Sequence, residues 1–408
     1  MYGYSVRSSV RSKRLNILIV PSWYPSKSNP SSGSFFREQA IALAKFGHNV
    51  MLLNATFATQ RDYFSNETFR YMKQKDGPII EYSYVVPTFG LGRIPQLAYM
   101  IFKRNMFLLF DRVKKENHID IIHAHSYFPA GLASCSVGLR ESIPVIITEH
   151  STGIRDIREG SVELGNLNRV LELGSRFVCV SEDLKRAVIK VTNTIKTIDV
   201  IPNMVSSLFF DYVKPEGYAG RKNSDEFVFI SVGSLNQRKR FDMLIDAFAM
   251  VFKNDQRVVL NIIGEGSLRN ELKEKISDYD MKSQIHLLGS LSRDMVAEEL
   301  WNSNCFVLAS EYETFGVVYI EAMACGKPVI AVKNGGAEGI VKAFNGILTE
   351  RNNVDQLAAA MIYMFKNSEE YDSTLITKYC YDRYSEKSIC NQLSSLYESV
   401  IDDYRDNI

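Results

Sequence analysis

The chain has 408 residues, 46% hydrophobic and 23% charged, the balance of a protein that buries real cores over two or three domains. This excludes disorder, collagen-like repeats and a stapled miniprotein, and six scattered cysteines without a CxxC pair argue against a metal cage or a secreted disulfide frame. The net charge of +1 hides an asymmetry: residues 1–205 carry 26 Lys/Arg against 17 Asp/Glu, a balance of +9, and residues 206–408 carry 22 against 30, a balance of −8. Such a split either turns one half toward an anionic partner or reflects scatter between two domains.

In chain order, Leu15 to Val20 is a short continuous apolar run of the kind a parallel sheet buries on both faces. The Arg/Lys-rich segment before it and Pro21 after it leave too little apolar length for a signal peptide. Phe35 to Phe46 reads as a helix stopped by Gly47, and Asn49 to Leu53 as the next strand. Leu97 to Lys115 mixes large apolar residues with five Lys/Arg. It is either a core helix with a charged face or a basic amphipathic helix suited to an anionic membrane surface, and it is interrupted too often to span one. Strands follow at Ile119 to His123, Val145 to Thr148, Phe177 to Val180 and Val200-Ile201. Lys214 to Glu226 is a polar, Gly/Pro-containing linker or exposed loop. A second series runs through Phe227 to Val232, Val258 to Ile263, Ile285 to Leu288, Cys305 to Leu308 and Pro328 to Val332. The fold class is therefore α/β, with two doubly wound, Rossmann-like domains at 1–205 and 206–379 facing across a cleft. Ligands of such sheets bind beyond the carboxyl ends of the strands, so the loops there are where chemistry belongs.

The richest stretch is Ser310 to Ala331, SEYETFGVVYIEAMACGKPVIA. A strand runs into a loop holding Glu313, Thr314, Phe315 and Gly316, and a short helix that ends at Gly326 then carries Glu321. Gly316 lets a ligand approach the backbone, and the first helical N–H groups point at it. Two carboxylates so spaced suit paired sugar hydroxyls, and Glu321, set in an apolar helix, is costly without a partner. Arg238, Lys239 and Arg240 follow the first strand of the second half, three adjacent cations that gain from an anion among them. Gly264-Glu265-Gly266 is a tight turn after its strand that either lines a nucleotide pocket or turns without contact; Arg269 stands where a dinucleotide fingerprint wants glycine. His150 sits at a strand's carboxyl end, either reaching the cleft or satisfied locally by Glu149 or Ser151. Of His123 and His125, His125 is expected at the cleft and His123 in a structural place. A zinc reading of His123, His125 and His150 has only its His-x-His spacing in favour. Gly33 precedes a helix start and permits close approach of an acceptor or a phosphate, but with no further glycines it is no P-loop. No basic and aromatic platform for nucleic acid is present.

These motifs resemble retaining glycosyltransferases of the GT-B fold, glycosyltransferase family 4 above all. The E-x7-E signature is Glu313 with Glu321. Val232-Gly233-Ser234-Leu235 with Lys239 and Phe248 is similar to the phosphate-contacting loop and helix. Gly264 to Arg269, Asn334-Gly335-Gly336 with Glu338, and Asn345-Gly346 follow in the family's order. Pro21 to Pro25, Gly33-Ser34-Phe35-Phe36, His123-Ala124-His125 and the Ile201-Pro202-Asn203 hinge complete a resemblance over nearly the whole chain. It implies a nucleotide-diphosphate sugar donor in the second half and a carbohydrate or lipid-linked acceptor in the first, beside Ser34, Phe35 and His125. It also implies a C-terminal helix (380–408) crossing back to the first domain, and neither metal nor other cofactor. Under it Glu313 contacts the donor sugar, Glu321 the ribose, and His150 the donor near the reacting centre. Gly33, Ser234, Arg238, Lys239, Arg240, Gly264, Thr314, Phe315, Gly316 and Val317 line the donor. The family pattern usually has Arg where this chain has Ser234 and Gly where it has Arg240, so Arg238 or Arg240 must restore the charge. A sugar-nucleotide epimerase or hydrolase, or an inactive partner subunit, are the rival readings. The expected location is the cytoplasm, peripheral on the inner face of its membrane.

Overall fold

The computed structural model describes residues 13–26, 32–58, 69–87, 94–211 and 226–406. Of the expected linker Lys214 to Glu226, only Glu226 falls within them. In the first domain β1 (Asn16–Pro21) leads to α1 (Ser34–Lys45), which starts behind Gly33 at φ 71°. A Cβ there would lie 2.8 Å from the Trp23 carbonyl oxygen, so only glycine fits the turn. Next come β2 (Asn49–Asn54), the short β3 (Phe57–Ala58), β4 (Tyr71–Asp76), β5 (Ile79–Tyr84), the short β6 (Val86–Pro87) and α2 (Pro95–Glu116). β7 (Ile121–His125), α3 (Leu132–Glu141), β8 (Val145–Glu149), α4 (Val162–Leu173), β9 (Arg176–Cys179), α5 (Glu182–Thr192) and β10 (Ile198–Val200) close the series. The eight-stranded sheet has the order β10-β9-β8-β7-β1-β2-β5-β4, parallel except for the edge strand β4. β3 pairs with β6 apart from it.

The second domain contains β11 (Phe227–Val232), α6 (Phe241–Phe252), β12 (Val258–Ile263), α7 (Arg269–Asp278), β13 (Ile285–Gly289), α8 (Arg293–Asn302) and β14 (Cys305–Leu308). α9 (Val317–Ala324), β15 (Val329–Val332), α10 (Ala337–Ile340), β16 (Gly346–Thr349), α11 (Val354–Asn367) and α12 (Ser373–Tyr384) follow. Its six parallel strands run β13-β12-β11-β14-β15-β16. Central strands such as Cys305–Leu308 and Val329–Val332 are buried at every position, as their continuous apolar runs require.

Strand order reverses between β1 and β7 in the first sheet and between β11 and β14 in the second. Crevices open at such switch points, beyond the strands' carboxyl ends. The chain passes from the first domain to the second beside Val205 and returns beside Ser385, where the Val205 N–H donates to the Tyr384 carbonyl at 2.8 Å. The last helix, α13 (Glu386–Asp406), packs Ile389, Leu393, Tyr397 and Val400 into the core of the first sheet with Ile17, Ile19 and Ile121. α12 still packs on α9 of the second domain, so the crossing back falls at Ser385. All six cysteines are free and buried.

Candidate active site between the two domains

The loop after β11 turns through a short 3-10 segment at Gln237–Lys239 capped by the Asn236 side chain. It presents Lys239, whose Nζ lies 2.5 Å from Glu313 Oε1 in the loop after β14. These two loops are the walls of the second sheet's crevice, and both side chains are largely buried. The Glu313 N–H donates to the Asn334 carbonyl at 3.1 Å. Asn334 in turn donates to Tyr319 Oη at 2.8 Å, while the Glu338 carboxylate accepts from the Asn334 and Gly335 N–H groups. The Asn-Gly-Gly-x-Glu motif thus acts as a backbone brace for Glu313. Gly316, at φ 88°, opens α9, and its position leaves no room for a Cβ, which would sit 2.5 Å from the Tyr319 ring. Gly264, at φ 147°, would place a Cβ 1.9 Å from the Gly233 carbonyl oxygen, so the turn after β12 packs directly on the loop after β11.

On the first domain's wall, Glu149 is fully buried and organises the loops after β7 and β8. Its carboxylate accepts from the N–H groups of Tyr127 (2.7 Å), His150 (2.8 Å) and Ser151 (2.6 Å). Glu149 therefore holds the backbone of His150, and the ring is left to other partners. Its Nε2 lies 3.1 Å from His125 Nδ1, and the Phe35 ring packs 5.2 Å away. Burial first, then the neighbouring His123, pulls the His150 pKa down to about 3, so the ring is neutral.

Several expected positions fall elsewhere. β7 (Ile121–His125) both starts and ends two residues later than the expected Ile119 to His123, and the His123 ring nitrogens find Tyr397 Oη and Thr148 Oγ1, each at 2.7 Å, inside the core. His125 is consequently not at the open cleft: it is fully buried behind His150 and stacked on Phe36 at 4.6 Å. The Phe315 ring is buried against Tyr384, 5.7 Å away, so only its backbone is placed toward the crevice. Arg240 adopts the left-handed conformation (φ 50°) and bonds Asp242 at 3.1 Å and Asn352, away from Lys239. Arg238 instead crosses to the first domain, its Nη1 donating to Thr152 Oγ1 at 2.9 Å. Ser234 is exposed on the loop after β11. Val317 is the first residue of α9 and Ser34 the first of α1. Among the described residues, no group of three or more His, Cys, Asp or Glu converges on a metal-holding geometry.

Among the described residues, the domains also meet at points that sequence reasoning missed. Ser181 Oγ donates to the Thr314 carbonyl at 2.6 Å. Glu321, almost wholly buried, accepts at Oε1 from Arg293 Nη1 at 2.6 Å, and Arg293 also meets Glu38 of α1, Nε to Oε1 at 3.0 Å. Burial opposes the Arg293 charge, but Glu321 and Glu38 outweigh it and raise its pKa; burial raises Glu38 against the pull of Arg293. Only the apolar setting of Glu321 hinted that a partner was needed.

Two facing doubly wound domains, with a cation–carboxylate pair at the switch point of the second, have the architecture of the GT-B fold. Residues 32–207 match the model of Glycosyltransferase Family 4 and residues 218–378 that of Glycosyl transferases group 1. The chain is a GT-B glycosyltransferase of the family 4 type. It is 26% identical to N-acetyl-alpha-D-glucosaminyl L-malate synthase of Bacillus anthracis, over 93% of this chain and 96% of that one. To the UDP-Gal:alpha-D-GlcNAc-diphosphoundecaprenol alpha-1,3-galactosyltransferase of Escherichia coli it is 27% identical, over 71% of this chain and 78% of that one. The solved sucrose-phosphate synthase of Thermosynechococcus elongatus superposes with a TM-score of 0.76 at 18% identity, covering 96% of this chain and all of that one.

Proposed function

We propose that the protein moves a sugar from a nucleotide-diphosphate sugar to an acceptor hydroxyl with retention at the anomeric carbon and without a metal. The observation that carries this reading is the Lys239–Glu313 pair at the second switch point, next to the start of α9. A diphosphate entering there competes with Glu313 for the Lys239 ammonium and meets the free N–H groups at the helix start. Both stabilise charge as the leaving group departs. Glu313, released from Lys239, accepts from sugar hydroxyls. Arg238 supplies the second cation, since Arg240 is held by Asp242. His150, neutral and fixed by Glu149 and His125, contacts the donor sugar near the reacting centre. No carboxylate motif in the sequence demands a covalent nucleophile, so in this reading the acceptor enters on the face the leaving phosphate vacates, and that phosphate takes its proton.

The acceptor is lipid-linked in this reading, as in surface polysaccharide or glycolipid assembly. The name of the E. coli relative includes both a UDP-sugar and a diphosphoundecaprenol carrier. α2 supports the same reading: Leu97, Met100 and Leu108 are exposed beside Arg104 and Lys115 on the basic half of the chain. The test is a screen of nucleotide sugars for binding and turnover, with the product's anomeric configuration read by NMR and EDTA present in one arm. Transfer with retention, unchanged by EDTA, is expected. Inversion, or loss of turnover on chelation restored by Mg²⁺ or Mn²⁺, refutes the corresponding part, and release of free sugar as the sole product favours a hydrolase.

A further inference from the structure

Arg293 is the first residue of α8, where a cation opposes the helix dipole. Its place is explained by what surrounds it rather than by the helix. Nη1 donates to Glu321 Oε1 at 2.6 Å; Nη2 and Nε meet Glu38 at 3.1 and 3.0 Å; and the guanidinium lies 4.8 Å from the Phe209 ring centroid, four residues past the interdomain crossing at Val205. One side chain therefore touches α1 of the first domain, the connection between domains and α9 of the second. Two carboxylates around one guanidinium leave acceptor capacity unmatched, and carboxylate oxygens only accept. A ribose diol brings the two O–H donors that this group lacks.

We propose that Arg293 is a positioning residue that aims the Glu321 carboxylate at the ribose of the donor nucleotide, and does so fully only while Glu38 holds the other side of its guanidinium. This rests on the reading of Glu321 as the ribose carboxylate. Ribose recognition is then coupled to domain closure. When the domains part, Arg293 loses Glu38, gains rotational freedom and no longer fixes the plane of the Glu321 carboxylate; when they close, the fork geometry of Arg restores it. Lysine, a point charge on a flexible stem, replaces this poorly.

The test compares equilibrium binding of UDP, with ADP and GDP alongside, and of the 2′,3′-dideoxy form of each. Because both forms are measured on one variant, their ratio is insensitive to loss of folded protein. The wild-type protein is expected to prefer the ribo form by about tenfold or more, the scale of one or two hydrogen bonds to a charged group. Glu321→Gln and Arg293→Gln should bring that ratio to within about twofold of unity, while Arg293→Lys and Glu38→Gln should give intermediate ratios. If Arg293→Gln weakens both forms in equal proportion and leaves the ratio intact, Arg293 is a clamp between domains and the proposal is wrong. An unchanged ratio in Glu38→Gln overturns the coupling to closure. An unchanged ratio in Glu321→Gln as well refutes the ribose reading itself, which separates the two failures.

Discussion

Lys239 and Glu313 neutralise each other across 2.5 Å, and a diphosphate must displace one from the other to be held. Truncating the lysine leaves Glu313 as an unpaired carboxylate facing the position a phosphate would take, so Lys239→Ala removes attraction and adds repulsion. At least ~2 kcal/mol of transition-state stabilisation should go, roughly thirty-fold in kcat/KM for the donor. Arg240→Gly is the matched control. It removes a cation one residue away whose side chain bonds Asp242 and Asn352, and it relieves a left-handed backbone that costs a non-glycine residue about 1 kcal/mol. Its turnover should stay within about threefold of wild type. A Lys239→Ala enzyme at near-normal rate, or an Arg240→Gly enzyme as damaged as Lys239→Ala, would move the phosphate onto the arginines.

At the scale of elements, the start of α9 is a geometry that one glycine permits. Gly316→Ala must accommodate φ 88° and a Cβ 2.5 Å from the Tyr319 ring, which is itself anchored by Asn334. The first turn of α9 must shift, taking its N–H groups off the phosphate position. Donor KM should rise at least about tenfold with a loss of about 1–2 kcal/mol in stability, read by steady-state kinetics and denaturant titration. A wild-type KM in a folded Gly316→Ala variant would mean those N–H groups do not serve the donor. The elements legible in the sequence were those whose burial left a mark on it. Phe227–Val232 and Cys305–Leu308 are central strands, apolar throughout but for Ser231, and their apolar runs coincide with the strands' bounds. The edge strand Tyr71–Asp76 (YMKQKD) is polar and half solvent-facing, so nothing distinguished it from a loop. β7 is Ile121–His125 where the apolar run suggests Ile119 to His123, because a histidine such as His125 looks polar until the fold buries it against Phe36 and His150. Lys239 and Glu313 were visible because each lies in a local motif. Arg293 was not, because its partner Glu38 is 255 residues distant and only the assembled fold brings them together.

Over the whole molecule, buried neutral histidines tie stability to pH. Burial takes His123 and His150 down to about 3, and burial, with His123 and His150 beside it, takes His125 well below its usual range. In the unfolded chain each titrates near 6.5, so below that pH the unfolded state binds protons that the folded state refuses, and stability falls as pH falls. From pH 7.5 to 5.5 the loss is about 1.4 kcal/mol for each of His123 and His150, and His125 acts in the same direction. Glu38 and Glu81, raised by burial, work in the opposite direction nearer the carboxylate range. Denaturant midpoints that do not move across this interval would show that the cluster is charged or open in solution.

The membrane reading also belongs to the whole molecule, because it depends on which charges the fold leaves available. No helix among the described residues is long and apolar enough to cross a membrane, so α2 would act by lying on one. Of its five basic residues, Lys114 pairs with Glu141, Arg112 lies 4.1 Å from the Tyr71 ring centroid and Lys103 lies 5.7 Å from that of Phe107. Arg104 and Lys115 are exposed on the same face as Leu97, Met100 and Leu108. Two charges at about 1 kcal/mol each give weak, salt-sensitive attraction to an anionic surface, and the apolar side chains add insertion. The wild-type protein should sediment with phosphatidylglycerol vesicles at low salt. Arg104→Gln with Lys115→Gln should lower the partition roughly thirty-fold, and Met100→Asp should lower it further, with donor hydrolysis unchanged in both. Wild-type protein left in the supernatant at low salt would make α2 a plain surface helix and the acceptor a soluble one.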